Sequence, residues 1–379
     1  MRRLLFMVSL WSVGGLVGPG VAGAVPMRRH FVVDAAARGA VCNNGSDAAY
    51  YYRPGVSDDT WVVFLGGTGN GGCPSIADCD QRWIDDPQTM ATTWIGIGGL
   101  ERTISSTRVE GGILSDDPAQ NPYLYDANHV FVYPCSNDAW RGTAPGSAST
   151  GGWSFLGDPT VRAVIEDLQS EHALSLADAD ELIFAGSNAG ADGVRHHIED
   201  VQAQLGTVMV LGLLDGRMHT DYRPRGWRPL APGGEVESVR EMYALHGFVP
   251  PQECFDEHGP DADECFLFHS LYPYVDAPLF VVISQRDSTN LGNLWGVPFP
   301  RAPNNPEALA YRDALIDAVQ ALPRGTGYFV PDADWHKHTI LKGRFTNHPI
   351  SDPITGDDLN VADAFESWRA GDYIPRLIE

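Results

Sequence analysis

The residues best placed to do chemistry form one short stretch, Gly186-Ser187-Asn188-Ala189-Gly190. The apolar run Leu182-Ile183-Phe184-Ala185 before it has the length and composition of a buried strand. After it, Val194, Ile198, Val201 and Leu205 recur at helical spacing, so a helix follows. Strand, glycine-bracketed turn and helix form the setting in which G-x-S-x-G holds a nucleophilic serine at the tip of a sharp turn. Here the central residue is asparagine. A carboxamide does not lose a proton at accessible pH and does not attack an ester, so Asn188 blocks the covalent route that a serine would open. Ser187 sits one residue too early, because such a turn aims only its central side chain.

Two further stretches carry residues of the right type. Gln285-Arg286-Asp287-Ser288 follows the apolar run Leu279 to Ser284, and Trp335-His336-Lys337-His338 follows Gly327-Tyr328-Phe329-Val330. Reactive groups in an open α/β sheet collect in loops at the carboxyl ends of strands. The chain order of nucleophile, acid and base is that of an α/β-hydrolase triad. One histidine, 336 or 338, would take the nucleophile's proton and return it to the leaving group, while Asp287 would fix its tautomer. A third loop, Gly66-Gly67-Thr68-Gly69-Asn70-Gly71-Gly72, follows Thr60-Trp61-Val62-Val63-Phe64-Leu65. Its glycines let backbone N–H groups approach a ligand closely. The expected oxyanion hole uses the N–H groups of Gly69, Asn70 and Ala189. A phosphate loop would need a following Lys-Ser/Thr, which is absent. His196-His197 with Glu199 lacks the H-E-x-x-H spacing of a zincin, so a surface or half-buried role is expected there rather than a metal.

The elements that must position these loops alternate. Strands are expected at 60–65, 129–133, 182–185, 208–214, 279–284 and 327–330. Helices are marked by Val161, Val164, Ile165 and Leu168, and by Leu309, Leu315, Ile316, Val319 and Leu322. Such alternation indicates an α/β sandwich with a mostly parallel central sheet. Residues 25–59 are mixed and turn-rich, and 218–276, rich in Pro, Gly and aromatics, is expected to form an irregular cap over the site.

The start of the chain, Met1-Arg2-Arg3, an apolar stretch from Leu4 to Val17 and then Ala22-Gly23-Ala24, has the form of a secretory signal peptide. The expected organisation is therefore a signal peptide over 1–24 and a single domain over 25–379, in a secreted or periplasmic protein with no membrane span. The six cysteines are an even number, and export favours disulfides. Cys73 and Cys79, and Cys254 and Cys265, are close enough for local loops, which would leave Cys42 and Cys135 to join distant segments. A net charge of −23 repels nucleic acid and anionic membranes, so neither is an expected partner.

Further segments carry a family resemblance. They are Val41-Cys42-Asn43-Asn44-Gly45-Ser46 with the tyrosines at 50–52, Val63-Phe64-Leu65, the span Cys73 to Cys79, and Gly112-Ile113-Leu114-Ser115. Asn121-Pro122-Tyr123, Tyr133-Pro134-Cys135-Ser136-Asn137-Asp138 and Val361 to Trp368 continue it. In order and spacing they resemble the pectin acetylesterases of plants and bacteria together with the animal carboxylesterase Notum, from about Ala40 to Arg369. The resemblance implies an α/β-hydrolase-like fold, serine-dependent removal of acyl esters from a small-molecule or glycan ligand, and no metal or organic cofactor. The family's catalytic positions fall on Asn188, Asp287 and a histidine. The spacing from Phe329 favours His336, although Thr339-Ile340-Leu341 after His338 is also family-like. Two departures stand out: asparagine replaces the family's serine, and Asn70 lies near where the family tends to carry tryptophan. The expectation is an ester hydrolase impaired at its nucleophile, or else a protein that binds an acylated ligand without cleaving it.

Overall fold

The computed structural model describes residues 24–67, 72–96, 98–218, 235–259, 265, 272–291, 306–341 and 343–379. The expected signal peptide therefore lies almost wholly outside the described residues. Fourteen strands and seven α-helices occur among those described. The strands are β1 (Met27–Phe31), β2 (Ala49–Arg53), β3 (Thr60–Leu65), β4 (Thr93–Ile95), β5 (Glu101–Thr103), β6 (Thr107–Arg108) and β7 (Asn128–Val132). They continue as β8 (Glu181–Ser187), β9 (Met209–Asp215), β10 (Leu279–Val282), β11 (Gly327–Val330), β12 (Ile350–Ser351), β13 (Asp358–Leu359) and β14 (Arg376–Ile378). The helices are α1 (Ile76–Asp85), α2 (Gly157–Ser170), α3 (Ala189–Leu205), α4 (Glu235–His246), α5 (Gln252–His258), α6 (Pro306–Gln320) and α7 (Val361–Arg369).

Ten strands form one sheet in the order β14-β11-β10-β9-β8-β3-β7-β2-β1-β6, while β4 with β5 and β12 with β13 make separate pairs. From β14 to β7 every pairing is parallel; β2, β1 and β6 add an antiparallel edge. This is an α/β-hydrolase-like fold with a mostly parallel sheet. Side chains alternate between two apolar layers, as strand geometry requires. Trp61, Val63, Leu65, Leu182 and Phe184 pack towards α2, α3 and α6. Val62, Phe64, Ile183 and Ala185 pack towards α7 and the loop around Ile113 and Leu114. Every residue of β8 is buried. Covered on both faces, it carries the continuous apolar run of a central parallel strand.

Three expectations need correction. Residues 25–59 are not merely turns, because β1 and β2 pair with each other and β2 pairs with β7. All three tyrosines of β2 are buried, which removes the polar alternation that would have marked it as a strand. The cap region is not wholly irregular, since α4 and α5 lie within it. Cys42–Cys135 and Cys254–Cys265 are disulfides, but Cys73 and Cys79 remain buried thiols, hydrogen-bonded to each other. No helix among the described residues is long and apolar enough to cross a membrane.

Two histidines in this framework are held uncharged. Burial, with the nearby Arg53 charge second, lowers His129 to about 3, and burial lowers His172 to about 4. Unfolded, both would titrate near 6.5, so below that pH the unfolded chain binds more protons than the folded one. Stability is then lost as pH falls from 6.5 towards 4, at up to about 1.4 kcal/mol per pH unit for the fully buried His129. Thermal unfolding followed from pH 7.5 to 4.5 should show a steep acid decline, and His129→Gln should make it shallower. Parallel declines in the two proteins would remove His129 as a cause.

Candidate active site

The site stands where the sheet reverses its direction of growth, since β3 lies between β7 on one side and β8 on the other. Loops leaving such neighbours diverge and open a crevice at the carboxyl edge. The turn after β8 fills that position. Asn188 has φ 56° and ψ −123°, and α3 begins at the next residue. A non-glycine residue held in that region costs about 1–3 kcal/mol, which the surrounding packing must offset. The packing is tight: a Cβ on Gly190 would lie 2.0 Å from the Leu65 carbonyl oxygen, and one on Gly186 would lie 2.4 Å from the Gly190 backbone. Only glycine fits at either place. The Asn188 N–H donates to the Asp215 carbonyl oxygen at 2.9 Å. Ala189 opens α3, so its N–H is among the helix donors without an intrahelical acceptor. Gly69 and Asn70 lie outside the described residues; Gly67, at the start of their loop, packs against Ser187 and Asn188.

The structure brings Asp287 and His336 together. His336 Nδ1 donates to the two Asp287 oxygens at 2.9 and 2.8 Å. Asp287 is fully buried, and its Oδ1 also accepts the N–H groups of Thr289 and Asn290, each at 2.9 Å. The carboxylate is thus fixed by backbone. With Nδ1 donating, the lone pair of His336 lies on Nε2, which is buried and has no hydrogen-bond partner among the described residues. His338 does not reach Asp287 in this arrangement. Its Nε2 lies 2.8 Å from the Ser284 hydroxyl, and burial lowers its pKa. The two rings thus have different partners, His336 the Asp287 carboxylate and His338 the Ser284 hydroxyl.

The sequence reading missed the group that holds this loop. Asp215 ends β9, opposite Ser187 in the register, and is fully buried. Its Oδ2 accepts the N–H groups of His338 and Thr339 at 2.8 Å each and the Thr339 hydroxyl at 2.7 Å. Gly216 follows with φ +71°, and a Cβ there would lie 2.0 Å from the His336 carbonyl oxygen. Asp215 and Gly216 therefore bridge the turn at Asn188 and the loop of His336. The Asp215-Gly216 pair after a strand was the available signal. A cavity of about 260 Å³ opens beside the turn, with Phe64, Gly67, Phe131, Tyr133, Ser187 and Lys337 in its wall. Arg108, over the Phe131 ring at 3.9 Å and paired with Glu110, contributes a charged side to it.

Comparison with known proteins gives consistent matches. The profile of the pectinacetylesterase family matches residues 22–302, a span that includes Asn188 and Asp287 and stops before His336. Palmitoleoyl-protein carboxylesterase NOTUM of Drosophila melanogaster is 29% identical over 338 residues, covering 86% of this chain and 46% of that protein. Its Homo sapiens counterpart is 29% identical over 259 residues, covering 66% of this chain and 49% of that one. This chain thus spans about half the length of the curated relatives it matches. Among solved structures, the Wnt deacylase Notum from Drosophila superposes with a TM-score of 0.78 at 26% identity, covering 94% of this chain and 96% of that one.

Loss of the Asp215 carboxylate would leave two N–H groups and a hydroxyl buried without acceptors, at about 1–3 kcal/mol apiece. Asp215→Ala should therefore lower the unfolding free energy by about 3 kcal/mol or more in urea. Asp215→Asn keeps one acceptor oxygen and should cost clearly less. Equal losses in both variants would show that the oxygen is not what holds the loop.

Proposed function

The chain belongs to the pectinacetylesterase family, and from that premise we propose that it is an exported protein of the carboxylic-ester hydrolase type, impaired because Asn188 stands at the nucleophile position. The ligand class is an acylated carbohydrate or a related ester. The observation that carries the proposal is the contrast within the site. The strained turn and the Asp287–His336 pair are in place, while the residue at the tip cannot attack.

The expected roles follow from the geometry. Asp287 holds the imidazole through Nδ1, which leaves the lone pair of His336 Nε2 for the role of base. The N–H of Ala189, with those expected from Gly69 and Asn70, would receive the ester's carbonyl oxygen. With Asn188 at the tip there is no acyl-enzyme step, and any hydrolysis must use a water activated by His336. The relatives named for deacylation and palmitoleoyl-protein cleavage support an acyl ester as the bound group. Export is supported by the charged and apolar start of the chain and by the two disulfides. The second reading, favoured by Asn188 itself, is a binding protein that retains an acylated ligand without cleaving it.

Hydrolysis of nitrophenyl acetate should separate these readings when the protein is assayed beside Asn188→Ser and Asn188→Ala. Removal of a hydrolase nucleophile costs about 10⁶-fold in kcat where it has been isolated, so even partial restoration by Asn188→Ser should exceed about 10³-fold. Gain by Asn188→Ser alone supports a silenced esterase. Three equally inert proteins would leave retention of the ester as the function, and three equally active ones would show that the reacting group lies elsewhere.

A further inference from the structure

A second cluster of chemistry-bearing side chains lies away from the ester site, between the first turn of α2 and the middle of α3. Asp158, His196 and His197 place potential ligand atoms within 4.8 Å of one another, the one such group among the described residues. His197 is the decisive member. It is 1% exposed, and its Nε2 lies 2.6 Å from the Trp140 carbonyl oxygen. A carbonyl can only accept, so Nε2 carries the hydrogen and Nδ1 carries the lone pair. That Nδ1 is buried and has no hydrogen-bond partner among the described residues. A metal-bound histidine has this arrangement, with its outer ring nitrogen donating to a backbone carbonyl that fixes tautomer and ring plane. Trp140 is itself held, its indole N–H donating to the Gly66 carbonyl oxygen at 2.9 Å and its backbone N–H to Asp138 at 3.0 Å.

We propose that Asp158, His196 and His197 form a binding site for one divalent transition-metal ion of the zinc type. Two imidazole nitrogens and one carboxylate oxygen suit zinc, cobalt or nickel, whereas calcium and magnesium require oxygen ligands. His196 Nε2 faces the Asp158 carboxylate at 3.5 Å. Burial lowers the pKa of both histidines, so each keeps its lone pair at neutral pH. The charges around the cluster are mixed. Arg162, whose side chain is 55% exposed, pairs with Asp158 at 3.0 Å and reaches Asp200 at 3.5 Å. Arg141 and Arg195 add positive charge near His196. These arginines oppose a cation, which sets a modest affinity and makes the swing of Arg162 towards Asp200 part of binding. An ion here would tie α2 to the helix that begins at Ala189 and would take no part in ester chemistry.

The test uses the full chain, stripped with a chelator and titrated with zinc or cobalt ions. Elemental analysis after dialysis should find one zinc per chain, and cobalt loading should give the visible bands of nitrogen and oxygen coordination. Tm should rise by about 3–4 °C when zinc is in hundredfold excess over its Kd, with no rise in calcium or magnesium. His197→Gln and His196→Gln should each weaken zinc binding at least tenfold, and His336→Gln should leave it unchanged. His196 is the less buried of the pair, so His196→Gln decides the matter if His197→Gln does not fold. Failure of the unaltered chain to take up zinc would overturn the proposal. So would uptake that survives loss of either histidine, or uptake lost only in His336→Gln.

Discussion

The site depends first on a steric constraint. After β8 the chain must turn back so sharply that Gly186 and Gly190 come into backbone contact and α3 starts against the end of β3. No side chain fits at either glycine, and Asn188 between them is forced to a positive φ. That turn sets the start and direction of α3, the depth of its packing on the sheet, and the place where a tip residue meets the carboxyl edge. The continuous burial of β8 makes this possible, because a strand covered on both faces gives the turn a rigid base.

Across the edge from the turn, the ends of β9 and β10 and the loop after β11 are tied together by hydrogen bonds to buried carboxylates. Asp287 is held by backbone N–H groups and in turn orients His336. Asp215 holds the backbone just beyond that histidine. Each of these acids is fully buried and accepts several hydrogen bonds, which is how a charge stays in a low-dielectric interior. Orientation of the imidazole is thus a property of several loops at once.

Much of this was legible in the sequence. The run at 182–185 and the glycines at 186 and 190 marked the strand and the turn, and the apolar strands placed Asp287 and His336 at strand ends. What stayed hidden has physical reasons. The tyrosines of β2 are buried on both faces, so no alternation signalled a strand. Asp215 has no motif of its own, because its role depends on a loop more than a hundred residues away. Asp158 was invisible as a neighbour of His196 and His197 for the same reason: α2 and α3 are brought side by side only by the sheet. Choosing between His336 and His338 also needed three dimensions, since the two differ only in which way the loop turns them.

The asparagine at the tip has an evolutionary reading as well. Asparagine and serine share codon pairs that differ at a single base, AAU and AAC against AGU and AGC. The surrounding scaffold still holds position 188 in the backbone conformation that a tip nucleophile would need, so nothing else in the turn has to change. The gene is therefore one transition away from encoding a hydroxyl there.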